Sequence, residues 1–130
     1  MPSECRRWSI ALVVEPIWYP LPDEDPSTAN WRDRRVHGII DSALEAAELG
    51  ADFIKAEFPG YLDIPTAAAD AARACDELGR NLAVPWVTLS GGVPFEIFKE
   101  QVRISCRAGA SGYLAGRAVW QDTVYASPEG

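Results

Sequence analysis

The feature that most constrains this chain is an alternation of two residue patterns. Short runs rich in β-branched and apolar residues take turns with longer stretches whose apolar residues recur at helical spacing. The first β-type run covers residues 10–15, and the polar stretch after it, residues 20–33, carries three prolines and several acids and reads as a loop. Over residues 34–49, Val36, Ile39, Ile40, Ala43, Leu44 and Ala47 make one helical stripe, and Gly50 is its stop signal. Residues 51–58 form a second strand, ended by Pro59-Gly60. The pattern then repeats. A helix over 66–80 presents Ala68, Ala71, Ala72, Cys75 and Leu78, and a strand over 83–89 breaks at Ser90-Gly91-Gly92. A helix over 94–107 has Phe95, Phe98, Val102 and Cys106 as its inner stripe, Ile97 and Ile104 opposite them, and Gly109 as its close. A short strand over 111–115 ends in Gly116-Arg117, and no further helix is evident after Trp120.

The order β-α-β-α-β-α-β without a hairpin signal calls for a parallel sheet joined by right-handed crossovers. An open doubly wound sheet and part of a (β/α)8 barrel both satisfy it. In either, chemistry gathers at the carboxyl ends of the strands. Those ends carry Glu15, Lys55 with Glu57, Ser90-Gly91-Gly92, and Gly116-Arg117.

Composition narrows the function. At 130 residues the chain holds one domain with a core, and 48% hydrophobic and 24% charged residues are ordinary for a globular protein. A net charge of −7 and a pI of 4.6 repel nucleic acid and anionic membranes, so neither is an expected partner. Cys5, Cys75 and Cys106 are odd in number and widely spaced, which supports neither a disulfide framework nor a zinc site. Cys75 and Cys106 fall on apolar helix faces and read as small core residues. The start of the chain has no apolar segment behind Arg6 and Arg7, and no run reaches transmembrane length, so a cytoplasmic location is expected.

Lys55 is the leading candidate for chemistry. Strand alternation puts Phe53, Lys55 and Glu57 on one side and Ile54 and Ala56 on the other. Withdrawing a lysine from water favours the neutral amine, the form that attacks a ketone carbonyl. The plain alternative is a strand-end lysine that snorkels to solvent or pairs with Glu57. Glu15 shares a face with Val13 and Ala11 and could move protons, or could simply meet solvent. Glu57 reads as an ion-pair partner for Lys55 or Arg117. The glycines of Ser90-Gly91-Gly92 and Gly116-Arg117 let main-chain N–H groups approach an anion, and the arginine adds a bidentate fork. His37, the one histidine, has no second histidine to work with and reads as structural; Trp86 and Trp120 read as packing residues.

Three stretches together resemble the class I aldolases that include tagatose-1,6-bisphosphate aldolase and sulfofructosephosphate aldolase. They are Gly50-Ala-Asp-Phe-Ile-Lys-Ala-Glu-Phe-Pro59, Pro85-Trp-Val-Thr-Leu-Ser-Gly-Gly-Val93 and Ala108-Gly-Ala-Ser-Gly-Tyr-Leu-Ala-Gly-Arg-Ala-Val-Trp120. Leu12-Val-Val-Glu-Pro16 resembles the family's preceding strand, and the likeness runs from about residue 10 to 120 in the family's order. The resemblance implies a (β/α)8 barrel and a Schiff-base reaction without metal or other cofactor. It implies Lys55 as the imine lysine, Glu15 as the proton-transfer group, and Ser90, Gly91, Gly116 and Arg117 around the phosphate or sulfonate of the sugar. The substrate would be a ketose phosphate such as tagatose 1,6-bisphosphate or sulfofructose 1-phosphate, with dihydroxyacetone phosphate as a product.

A full barrel of this kind needs about 250 residues. The chain is about half that length, and the resemblance implies that it corresponds to strands five to eight only, as one partial barrel domain over residues 1–130 that lacks the first half and the final helix. Such a half leaves two sheet edges unpaired, which leads to an expectation of self-association or a complementing chain. It also sustains a second reading, a catalytically incomplete half-barrel that binds sugar phosphate or acts as an interaction subunit.

Overall fold

The computed structural model describes residues 2–124. Four short strands form its sheet: β1 (Val13–Val14), β2 (Phe53–Ala56), β3 (Trp86–Leu89) and β4 (Tyr113–Leu114). They are all parallel and lie in the order β1-β2-β3-β4. The connections are helices α2 (Ala29–Glu48), α3 (Ala67–Asn81) and α4 (Phe95–Arg107), with α1 (Pro2–Arg7) before the first strand and α5 (Arg117–Val124) after the last. A doubly wound sheet reverses its strand order at a switch point so that helices cover both faces. Here the order never reverses, and α2 packs on α3 and α3 on α4 in one layer. This is the arrangement of four consecutive βα units of a (β/α)8 barrel.

The sheet's alternation decides what faces the helices. Ile54 and Ala56 pair in register with Trp86 and Thr88, and all four are buried against the helical layer. Ile40, Ala43, Ala74 and Leu78 complete this core from α2 and α3. A second cluster, Phe58, Ala71, Cys75 and Ile104, joins α3 to α4. The opposite face carries Val13, Phe53, Lys55, Val87, Leu89 and Leu114, as the register pairs Val13 with Phe53, Lys55 with Val87 and Leu89 with Leu114.

Several sequence expectations shift. α2 begins at Ala29, five residues before the expected start, because Thr28 caps it: its hydroxyl accepts the Trp31 N–H at 3.2 Å. The expected strands contract to two or four residues, most at β1 and β4, each of which pairs on one side only among the described residues. In α4 the buried residues are Phe98, Gln101, Ile104 and Ser105, while Phe95 and Cys106 are exposed. The helix is thus rotated from its apolar stripe so that Ile104 and Ser105 meet α3; Ser105 lies against Cys75, with Oγ and Sγ 4.0 Å apart. Cys106 is a surface residue and not a core one, Ile104 is buried, and a helix, α5, follows β4 where none was expected. Trp86 is buried as expected, whereas Trp120 is exposed.

Candidate active site

The carboxyl ends of the four strands border one open cleft of about 680 Å3, and Lys55, Glu15, Ser90, Gly91, Gly116 and Arg117 all line it. Lys55 is the third residue of β2 and points away from the helices, toward the open side of the sheet. Glu15 follows β1 directly. The ammonium of Lys55 donates to Glu15 Oε2 at 2.8 Å, with side-chain exposures of 27% and 41%. The amine is therefore partly screened and held by a carboxylate, not sealed inside the strand.

Glu57 has a different partner from the two the sequence suggested. Its Oε1 accepts from Arg35 Nη2 of α2 at 2.8 Å, and its Oε2 accepts the Trp18 main-chain N–H at 2.7 Å. Both groups of this pair are largely withdrawn from water. Neither Lys55 nor Arg117 is its partner, because Glu15 has taken the first and the second lies across the cleft beside Gly92.

The far wall of the cleft is built from two turns. Gly91 and Gly92 adopt φ of +55° and +76°, a left-handed pair that side chains rarely tolerate in sequence. The Arg117 guanidinium lies against Gly92, where any side chain would press on it. The buried Ser90 hydroxyl accepts the Gly116 N–H at 3.4 Å and so ties the turn after β3 to the turn after β4. Arg117 is also the first residue of α5, so the amino end of that helix opens at the same wall.

Arg35 and Trp18 were missed by sequence reasoning. Arg35 carried no signal because it lies within a run of arginines beside a misplaced helix start. Trp18 lay in a segment with no periodicity. His37 is exposed on α2, 3.7 Å from Asp33, and is not among the residues of the cleft. No helix among the described residues is long and apolar enough to cross a membrane.

Four consecutive parallel βα units with a cleft at the carboxyl ends of the strands define the class of the (β/α)8 barrels. The chain belongs to the DeoC/LacD family of aldolases, whose profile matches residues 1–122. Tagatose 1,6-diphosphate aldolase 2 of Streptococcus mutans is 29% identical over 135 residues, covering 94% of this chain and 41% of that protein. Tagatose 1,6-diphosphate aldolase 1 of Enterococcus faecalis is 27% identical over 94% of this chain and 41% of its own length. Among solved structures, a Schiff-base-forming fructose-1,6-bisphosphate aldolase superposes with a TM-score of 0.65 at 26% identity, over 92% of this chain and 42% of that one. An archaeal fructose-1,6-bisphosphate aldolase superposes at 0.67 with 23% identity, which speaks to the fold. The chain thus spans about two fifths of the length of the relatives it matches.

Proposed function

We propose that this chain carries the imine half of a class I aldolase barrel acting on a ketose phosphate. The observation that carries the reading is the 2.8 Å contact between Lys55 and Glu15 in a cleft whose far wall is a two-glycine turn and an arginine. Once its proton passes to Glu15, the amine can attack the ketone carbon, and loss of water leaves an iminium. The iminium draws electrons from the bond between the carbons α and β to it; as Glu15 takes the proton of the β-hydroxyl that bond breaks, releasing an aldehyde and leaving an enamine. Protonation and hydrolysis then free the ketone product, dihydroxyacetone phosphate from either sugar, the sulfonate of sulfofructose 1-phosphate leaving on the aldehyde. Glu15, touching the amine, is placed to move the protons of carbinolamine formation and breakdown.

Ser90, Gly91, Gly116 and Arg117 hold the anionic end of the sugar. Main-chain N–H groups of the glycine turns, the Ser90 hydroxyl proton and the Arg117 fork are donors of the kind phosphate and sulfonate select. The names of the relatives suggest tagatose or fructose 1,6-bisphosphate as the substrate. Three free cysteines suit a reducing cytoplasm. The domain is one partial barrel, completed by a second copy or a complementing chain.

Incubation with dihydroxyacetone phosphate and borohydride, followed by peptide mass spectrometry, tests the reading. A reduced adduct is expected on the Lys55 peptide and is lost in Lys55→Met; a folded sample without the adduct refutes imine chemistry in this chain. The second reading, an incomplete half-barrel that binds sugar phosphate without reacting, is favoured by the partly exposed Lys55 ammonium already paired with Glu15. It requires saturable phosphate binding with no adduct. Turnover that survives Lys55→Met would instead indicate a phosphate-binding isomerase.

A further inference from the structure

Two carboxylates, Glu15 and Glu57, stand beside Lys55, and the hydrogen bonds divide their work. Glu57 lies two residues beyond Lys55, just past the end of β2 and in the same cleft, yet both of its oxygens are engaged elsewhere, one by Arg35 and one by the Trp18 N–H. Trp18 is in turn fixed from its other side. Its ring lies on the buried Gly38 of α2 so closely that a Cβ there would overlap the ring carbons. The loop leaving β1 is thus gripped at Trp18 by β2 and α2 together. Glu15 is only three residues back along the chain, with Pro16 between them limiting the available torsions.

We propose that Glu57 is a positioning residue: with Arg35 and Gly38 it clamps Trp18, and through the short Glu15–Trp18 tether it keeps the Glu15 carboxylate on the Lys55 amine. This rests on the reading of Lys55 and Glu15 as the reacting pair and adds the device that sets their contact. The clamp also keeps Glu57 from competing for the amine, leaving proton transfer to Glu15.

The chain has two lysines, Lys55 and Lys99, so competitive acylation of the full chain by limiting N-hydroxysuccinimidyl acetate reads Lys55 against an internal reference. Glu15→Gln, which removes the contact directly, is expected to raise the Lys55:Lys99 labelling ratio about fivefold and to displace its pH profile. Glu57→Gln should raise the ratio at least threefold and displace the profile in the same direction. Amide hydrogen exchange at Trp18 should accelerate more than tenfold. Arg35→Lys, which retains a cation for Glu57, should stay within twofold of the parent. Gly38→Ala changes no charge and can reach Lys55 only through the loop, so it should reproduce the Glu57→Gln profile, and it serves as the test where Glu57→Gln does not fold. An unchanged ratio and profile in a folded Glu57→Gln or Gly38→Ala variant overturns the clamp. Acylation needs no imine, so the two readings fail separately. Absence of a borohydride adduct with responsive labelling removes the aldolase reading alone, and an adduct with unresponsive labelling removes the clamp alone.

Discussion

Cys75 shows how far burial alone sets the behaviour of one residue. It is fully enclosed between α3 and α4, and burial pushes its thiol up to about 12; a hydrogen bond with Ser105 partly opposes this, and the charge of Asp76 adds to it. A group whose pKa is higher folded than unfolded holds more protons in the folded state, so its contribution is intact below the unfolded value near 9.0 and is lost as pH climbs toward 12. Between those limits we expect this thiol to lower unfolding free energy by about 1.4 kcal/mol per pH unit. Denaturant titrations at successive pH values should show that slope in the parent and not in Cys75→Ala. Iodoacetamide should modify exposed Cys106 well before Cys75, which lies in the core as expected where Cys106 does not. The placement of the candidate residues was more legible than this. Glu15, Lys55 and Ser90 lie at or just past the ends of strands, Arg117 opens the helix after β4, and the structure brings all four to one cleft. The partner of Glu57 was not legible, because a contact between the end of β2 and a residue inside α2 depends on how the helix is rotated on the sheet.

Among the elements, α4 separates what a hydrophobic pattern reports from what packing requires. Its apolar residues outline an arc of Phe95, Phe98, Val102 and Cys106, but the surface held against α3 and β3 keeps only Phe98 of these and adds Gln101, Ile104 and Ser105. Close helix approach favours small side chains, so Ser105 beside Cys75 marks the contact better than a phenylalanine does. Ile104→Ala is therefore expected to cost about 2–4 kcal/mol, as deletion of a buried branched side chain does, while Phe95→Ala should cost under about 1 kcal/mol. Equilibrium urea unfolding of the two variants decides between the arcs; equal losses would restore the sequence-derived stripe. At α2 the missing signal was the cap. Thr28 is of a type that caps helices, but three prolines and a run of acids just upstream mark the segment as loop. Glu24 in fact organises that loop, accepting from the Leu21 N–H, the Trp31 indole and Arg34.

At the scale of the whole molecule, the open side of the sheet sets the behaviour of the 130-residue chain. The order of elements was readable from periodicity, since each crossover is local in sequence, and with no reversal of strand order the crossover helices α2, α3 and α4 lie on one face. That leaves the other face to whatever completes the barrel. Val13 is 51% exposed and Leu114 47%, one on each outer strand and both on the face that carries Lys55. Outer strands of this kind offer unpaired N–H and C=O groups and apolar side chains to any matching edge. A net charge of −7 weakens association but does not pair those groups. The chain is therefore expected to elute from size-exclusion columns above 14.2 kDa, with an apparent mass that rises with concentration. Lysine on an exposed strand opposes pairing, so Val13→Lys together with Leu114→Lys should return it toward the monomer mass at the same concentration. A monodisperse 14.2 kDa species with a cooperative thermal melt would show that the four strands suffice alone. The Lys55 cleft would then be an open groove on a self-sufficient sheet and not one side of a closed barrel.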